Sequence, residues 1–482
     1  MFHSLSRFLR SRRPMSSIQK RDKRRTRLSL EALEDRLVPS SWIVSVTSDD
    51  PNSGHAYGPP NGGGFGSLRF CMNNAAAGDT INFGVSGTIA INSQLPTIGK
   101  NLTIDGVGQS VEIWGGGTYR IFQVSAGVTA EIDNLSIDDG YTSGSGGGLY
   151  NSGTLKLNGD TFFNNKADAG GGAIENYGSG ANLTMYSVSL NNNNSELDHG
   201  GGLENISGTV SCSGHCSIVN NQAWLGGGIY NGGGSVNLYS GTQVSGNSAT
   251  FGGGIYTLGT GASFFITGFT GTAAIQYNSA TTQGGGIMVA SGTLTLSLGA
   301  SVSNNKVTAT NGLGGGVFVS GGTLKMTGGS INDNSATNGR GGGIYISGGQ
   351  LTLKDVNVKF NSANWGGGMY LKGGKATVSS GWVQENTAGT SGGGIYNWGG
   401  SLTLKSDVAV NDNMATNLGG GLYLGNNSYT DFINCLVSGN STGGSQQTTG
   451  WGVYQEKAAF VSGIPVGLID NDDPGGKPVK QT

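Results

Sequence analysis

The 482-residue chain holds 92 glycines and 9 prolines, with only 12% charged residues and a net charge of −2. Glycine at this level borders on low-complexity composition, and so small a net charge leaves little field for gripping nucleic-acid phosphates. No run of about 18 apolar residues occurs, so no membrane-spanning helix is expected.

Charge is unevenly placed. Residues 1–40 carry 11 Lys/Arg against 4 Asp/Glu, leaving the rest of the chain at −9. This basic segment reads as a disordered, removable export leader, although it lacks the apolar stretch of an ordinary signal peptide. Residues 41–140 contain strand-like pieces such as Thr80-Ile81-Asn82-Phe83 and Val111-Glu112-Ile113-Trp114. The stretch Ser67 to Ala77 predicts a short helix capped by Ser67, with Leu68, Cys71 and Met72 on one face. It is expected to cover the open edge of the first coil.

From residue 141 to 456 one tag repeats: Asn-(Ser/Thr)-Ala, a short linker, then Gly-Gly-Gly-Ile-Tyr. Its apolar anchor recurs at Leu149, Ile174, Leu203, Ile229, Ile255, Ile287, Val317, Ile344, Met369, Ile395, Leu422 and Val453, at gaps of 25 to 32. A fixed period with slack in one place marks a stacked supersecondary unit. Each unit offers three short alternating segments. In residues 341–363 these are Ile344-Tyr345-Ile346, Leu351-Thr352-Leu353-Lys354 and Val356-Asn357-Val358. The pattern predicts an all-β solenoid of three parallel sheets, single-stranded and roughly 13–15 coils long, with an N-terminal helical cap. Residues 457–482 read as a C-terminal tail.

Within a unit the parts have separate tasks. The glycines permit a sharp bend. An Asn recurs at Asn165, Asn194, Asn221, Asn247, Asn278, Asn305, Asn334, Asn361, Asn386, Asn413 and Asn440, with Asp139 at the same phase. At the ~4.8 Å strand spacing these amides are placed to form a ladder. The distance from this Asn to the next anchor varies from 8 to 13 residues, so the slack lies there.

The units resemble those of bacterial right-handed parallel β-helix proteins, among them the polymorphic outer membrane type. Phe162-Phe163-Asn164-Asn165 followed by Gly171-Gly172-Ala173-Ile174 carries the likeness best, and Gly66-Ser67-Leu68-Arg69 through Phe83 looks like the cap of such secreted proteins. Residues 28–40 resemble the leader motif of large exported bacterial surface proteins. The resemblance implies a right-handed coil and an extracellular or cell-envelope location. The chain has no translocator barrel after its last coil, so self-translocation is not expected.

Candidate sites are few. One residue past the anchor, Tyr345, Tyr370, Tyr396, Tyr423 and Phe318 fall in consecutive coils, with Tyr150, Tyr230, Tyr256 and Tyr454 elsewhere. Period-two alternation points them outward, as an exposed aromatic platform for stacking on sugar rings; the plainer account is mutual support within the sheet. Glu385 and Asp412 share a position in adjacent coils, and Asp138/Asp139 and Asp160/Asp168 form loose groups. None has a recurring basic partner of the kind that acid/base or calcium chemistry needs. Cys212-Ser213-Gly214-His215-Cys216 offers three ligands at most, short of a tetrahedral set, and reads as core packing with a local bridge as the alternative. His199 has no partner at catalytic spacing. These readings lead to an exported, non-enzymatic, monomeric surface protein that contacts polysaccharide or cell-surface components, without metal, cofactor or nucleic acid. The alternative is a polysaccharide lyase or glycoside hydrolase of the pectate-lyase-like class.

Overall fold

A computed structural model describes residues 40–57, 63–267, 274–297, 299–443, 452–463 and 468–469. Residues 1–39 of the leader and 470–482 of the tail lie outside them, while Phe460–Ser462 and Leu468–Ile469, read as tail, pair with Tyr429–Ser438 as strands of a sheet. The described chain is a parallel β-solenoid of about 14 turns. No helix among the described residues is long and apolar enough to cross a membrane.

Three sheets run along it. The anchor sheet stacks the Gly-Gly-Gly-Ile-Tyr strands, for example Ile344–Ile346 upon Val317–Val319 and beneath Met369–Leu371. The broad sheet receives two strands per turn over much of the rod, such as Asn182–Tyr186 and Ser189–Asn191. In later turns the two fuse, as in Gln350–Lys359 and Ser401–Asn411. The short sheet begins after the ladder Asn, as in Ser362–Trp365. The three segments read in residues 341–363 are therefore distributed differently: the second and third lie in one sheet, and the third sheet starts at Ser362. Residues Val356 and Val358 continue the alternation of Leu351 and Leu353 across a kink at Asp355, which takes a positive φ of 56°.

The anchors from Leu149 to Leu422 are fully buried, joined by Phe162, Phe264 and the inward Leu, Ile and Val of the broad sheet. The glycine triplet shows its purpose at Gly341 and Gly342. Gly341 has φ +66°, which favours glycine, and a Cβ on Gly342 would sit 2.4 Å from Ser362 O and 2.5 Å from Gly367 O. The turn needs the first glycine and the close stacking of coils needs the second.

At the N-terminal end the helix Leu68–Asn74 is shorter than the sequence predicts, but Ser67 accepts from Phe70 N at 3.1 Å and Leu68, Cys71 and Met72 enter the core. Arg69 is fixed there by a bidentate bond to Asp49, at 2.8 and 2.6 Å, and by the carbonyls of Ser93 and Gln94.

Candidate functional site

Asparagine rows tie the coils together. Asn165, Asn193, Asn221, Asn247 and onward to Asn440 are buried, and each is linked to the next by two bonds: its backbone N–H and its Nδ2 both donate to the next Oδ1 at 2.9–3.0 Å. The intervening pairs Asn278–Asn305–Asn334–Asn361–Asn386–Asn413 repeat this geometry. Two positions differ from the sequence reading. The rung in the second of these coils is Asn193, because in the run Asn191 to Asn194 the left-handed corner falls on Asn192 (φ 58°). Asp139 is not a rung either: it takes the corner itself (φ 51°) and Gly140 N donates to Asn165 Oδ1 in the place a rung would fill. A second ladder, Asn151–Asn176–Asn205–Asn231, runs in the anchor sheet at 2.8–2.9 Å. Its signal, Asn two residues past the anchor in four successive coils, is present in the sequence.

The aromatic stripe is not an exposed platform. Phe318, Tyr345, Tyr370, Tyr396 and Tyr423 retain only 2–8% of their surface. They do point away from the main core, but a roof covers them. The residue just before each glycine triplet forms a paired row, Leu225–Phe251–Gln283–Leu313–Arg340–Trp365–Ser391–Leu418. Leu225, Phe251, Leu313, Trp365 and Leu418 pack on the rings as a second apolar cluster. Between Phe318 and Tyr454 the centroids are 4.3–5.3 Å apart with planes within 25°. Arg340 lies 5.1 Å over the Trp365 ring. Burial pushes the Tyr345 and Tyr396 hydroxyls up to about 12. Alternation along a strand gives the side of the sheet, not the side facing water, and the variable linker supplies the cover.

Two coils of this stripe carry glutamates instead. Glu175 and Glu204 are 2% and 3% exposed and stack in register. Burial and mutual repulsion hold Glu175 well above the ordinary carboxylate range, and burial raises Glu204 too. Glu175 Oε2 is buried without a hydrogen-bond partner. His199 occupies the roof position here. Its ring lies 4.2 Å from Tyr230, and Nδ1 is 3.2 Å from Glu204 Oε1 and 2.9 Å from Asp198 Oδ1. Burial lowers its pKa. His199 thus does have acidic partners, which linear spacing hid because they meet through the roof.

The other acids are held by local bonds. Asp160 is buried and accepts from Leu135 N and Asn158 N. Asp168 accepts from Tyr141 Oη at 2.8 Å. Burial, with Glu112 alongside, pushes Asp138 up to about 6. Glu385 and Asp412 sit at left-handed corners of adjacent coils, contacted by Gln384 and Asn411. Cys212 and Cys216 are buried and joined by a disulfide. Among the described residues, no group of three or more His, Cys, Asp or Glu is arranged to hold a metal ion.

One open groove, of about 330 Å³, runs along the ladder turn. Asn164, Asn192 and Asn220 form its corner row, all at positive φ, with Asn192 Nδ2 donating to Asn164 Oδ1. Lys166, Asn194 and Gln222, which open successive strands of the short sheet, form the other wall. Asp139 closes the lower end and accepts from Trp114 Nε1 at 2.9 Å. Asn194 Oδ1 has no hydrogen-bond partner. Trp224 stands 46% exposed on the same strand and outward face as Gln222. Amide donors and acceptors in a row beside an exposed indole suit a polyhydroxylated chain. Comparison of the protein with family models, with curated proteins and with solved structures returns no match.

Proposed function

We propose that this chain is an exported, non-enzymatic β-solenoid, with repeats of the polymorphic outer membrane type, that holds a neutral polysaccharide in the amide groove. The observation that carries the reading is the groove: three corner asparagines facing Lys166, Asn194 and Gln222, with Trp224 alongside. Amides and hydroxyls exchange hydrogen bonds without desolvating a full charge, and an indole supplies an apolar face with a polar edge. One lysine and one aspartate leave the groove without net charge, which favours a neutral ligand over a uronate polymer. The Cys212–Cys216 bridge supports an oxidising compartment, and the basic leader supports export.

The test is an affinity gel of neutral β-glucan, with alginate for comparison, after a glycan array has ranked the neutral polymers. Trp224→Ala with Asn220→Ala touches no residue of the main core, so circular dichroism should keep the β-sheet signal, with a modest loss of stability from the Trp224–Phe251 contact and the positive φ of Asn220. Retention should fall at least about tenfold, the equivalent of about 1.4 kcal/mol. Undiminished retention by the double variant, or release of new reducing ends from the glucan, would overturn the reading.

A further inference from the structure

Strand Asn194–His199 connects the groove to the buried acids. Asn194 lines the groove, and His199 roofs Tyr230 and contacts Glu204. Between these ends the pairing with Gln222–Leu225 slips, and Ser195 Oγ is buried without a partner. The strand is thus pinned at Asn194 and Ser195 and again at His199, with an unpaired stretch between.

The charged and titratable groups around the far end are few. Glu175 and Glu204 face each other from adjacent anchor strands, with Tyr230 above and Tyr150 below. Asp198 and His199 come from the roof. Arg120 interacts with Glu175 through space, but its guanidinium is bonded to the carbonyls of Ser145 and Gly146 and lies over the Tyr150 ring. Held in register and out of water, the two carboxyls are most stable with at least one proton between them. Losing the last proton leaves two carboxylates in register, sealed from water and without a bonded cation, an arrangement that is strongly unfavourable. The exit for Glu204 is past His199, since its Oε2 already fills the space that a Cβ on Gly170 would take, 1.6 Å away. A protonated His199 does the reverse, closing on Asp198 and Glu204.

We infer that Glu175, Glu204 and His199 form a proton-operated latch on strand Asn194–His199, closed when protonated, which sets the position of Asn194 and so the grip of the groove on its ligand. The link to ligand grip rests on the glycan reading given above; the latch itself does not.

Hydrogen exchange of residues 194–200, corrected for intrinsic rates, reads the latch directly in the full chain. Exchange should accelerate from pH 6 to pH 9, by at most about tenfold per pH unit for each proton released. In Glu204→Gln, which removes one carboxyl and with it the repulsion between the pair, the rise should be much reduced, and in His199→Gln exchange should be raised at the acid end. Parallel profiles in wild type and Glu204→Gln would overturn the latch. Retention on the neutral β-glucan gel, measured over the same pH range, reads the coupling. Retention falling with pH in wild type and much less in Glu204→Gln supports it. Retention that ignores pH while exchange responds overturns the coupling. If exchange responds and no polymer is retained at any pH, the latch stands and the glycan reading fails.

Discussion

Tyr396 lies flat on Tyr423, their ring centroids 4.3 Å apart and their planes within 3°. Both rings belong to an apolar layer on the far side of the anchor sheet from the main core. The rod thus has two cores: one inside the coil and one between the anchor sheet and the linkers that arch over it.

Truncating this layer should act on stability and not on ligand. Tyr396→Ala removes a large buried ring stacked with Tyr370, Trp398 and Tyr423, and by analogy with aromatic truncations should cost about 3–5 kcal/mol. Urea midpoints would show it, while glucan retention below the transition should equal wild type.

The asparagine row gives a second prediction. Asn305→Ala strips Asn278 of the acceptor for both its N–H and its Nδ2, and leaves Ile275 O without its donor. Buried groups left unpaired cost about 1–3 kcal/mol each. Asn304→Ala, one residue away at the corner, should instead cost little beyond the strain of its positive φ of 56°. Equal losses in the two variants would contradict the ladder's weight.

Stability should also fall as the pH rises. Asp133 and Asp138 are pushed up to about 6 by burial and neighbouring acids, and Glu175 and Glu204 are raised further. A carboxyl whose folded pKa exceeds its unfolded value near about 4 favours the fold most below that value. Its contribution is then lost as the pH climbs through the folded pKa, between about 4 and 6 for the two aspartates and continuing upward for the glutamates. Melting temperature should therefore decline from mild acid toward alkaline conditions, and Glu175→Gln with Glu204→Gln should flatten the upper part of that decline.

The Cys212–Cys216 bridge closes a loop of sequence separation 4, for which the chain-entropy model gives about 2 kcal/mol. Reduction under native conditions should lower the melting temperature modestly, and Cys71 and Cys435, both buried, should remain unlabelled by iodoacetamide until unfolding.

How much of this is visible in the sequence differs from part to part. A period with glycines, an aliphatic anchor and one Asn at constant phase identifies the stacked coil and its core, because those positions answer to the same geometry in every turn. Solvent exposure does not follow from that periodicity. Whether Tyr345 meets water depends on Leu313, Arg340 and Trp365, which lie in the segment of variable length. Glu175 and Glu204 read as failures of the aromatic stripe until His199 is seen above them, and the rung at Asn193 is hidden inside four consecutive asparagines. The groove combines residues from four coils and two sides of one turn, so only the register of the strands brings it together.

The double bond from each ladder Asn to the next has one more consequence. Every rung offers the same acceptor to the turn before and the same two donors to the turn after, whatever the length of chain between them, which runs from 25 to 31 residues. The rod is therefore quantised: it can gain or lose a whole repeat and still close its ladder, but not a fraction of one. Reach along the axis and the shape of the flank can vary independently, the first in steps of about 4.8 Å and the second continuously through the linkers.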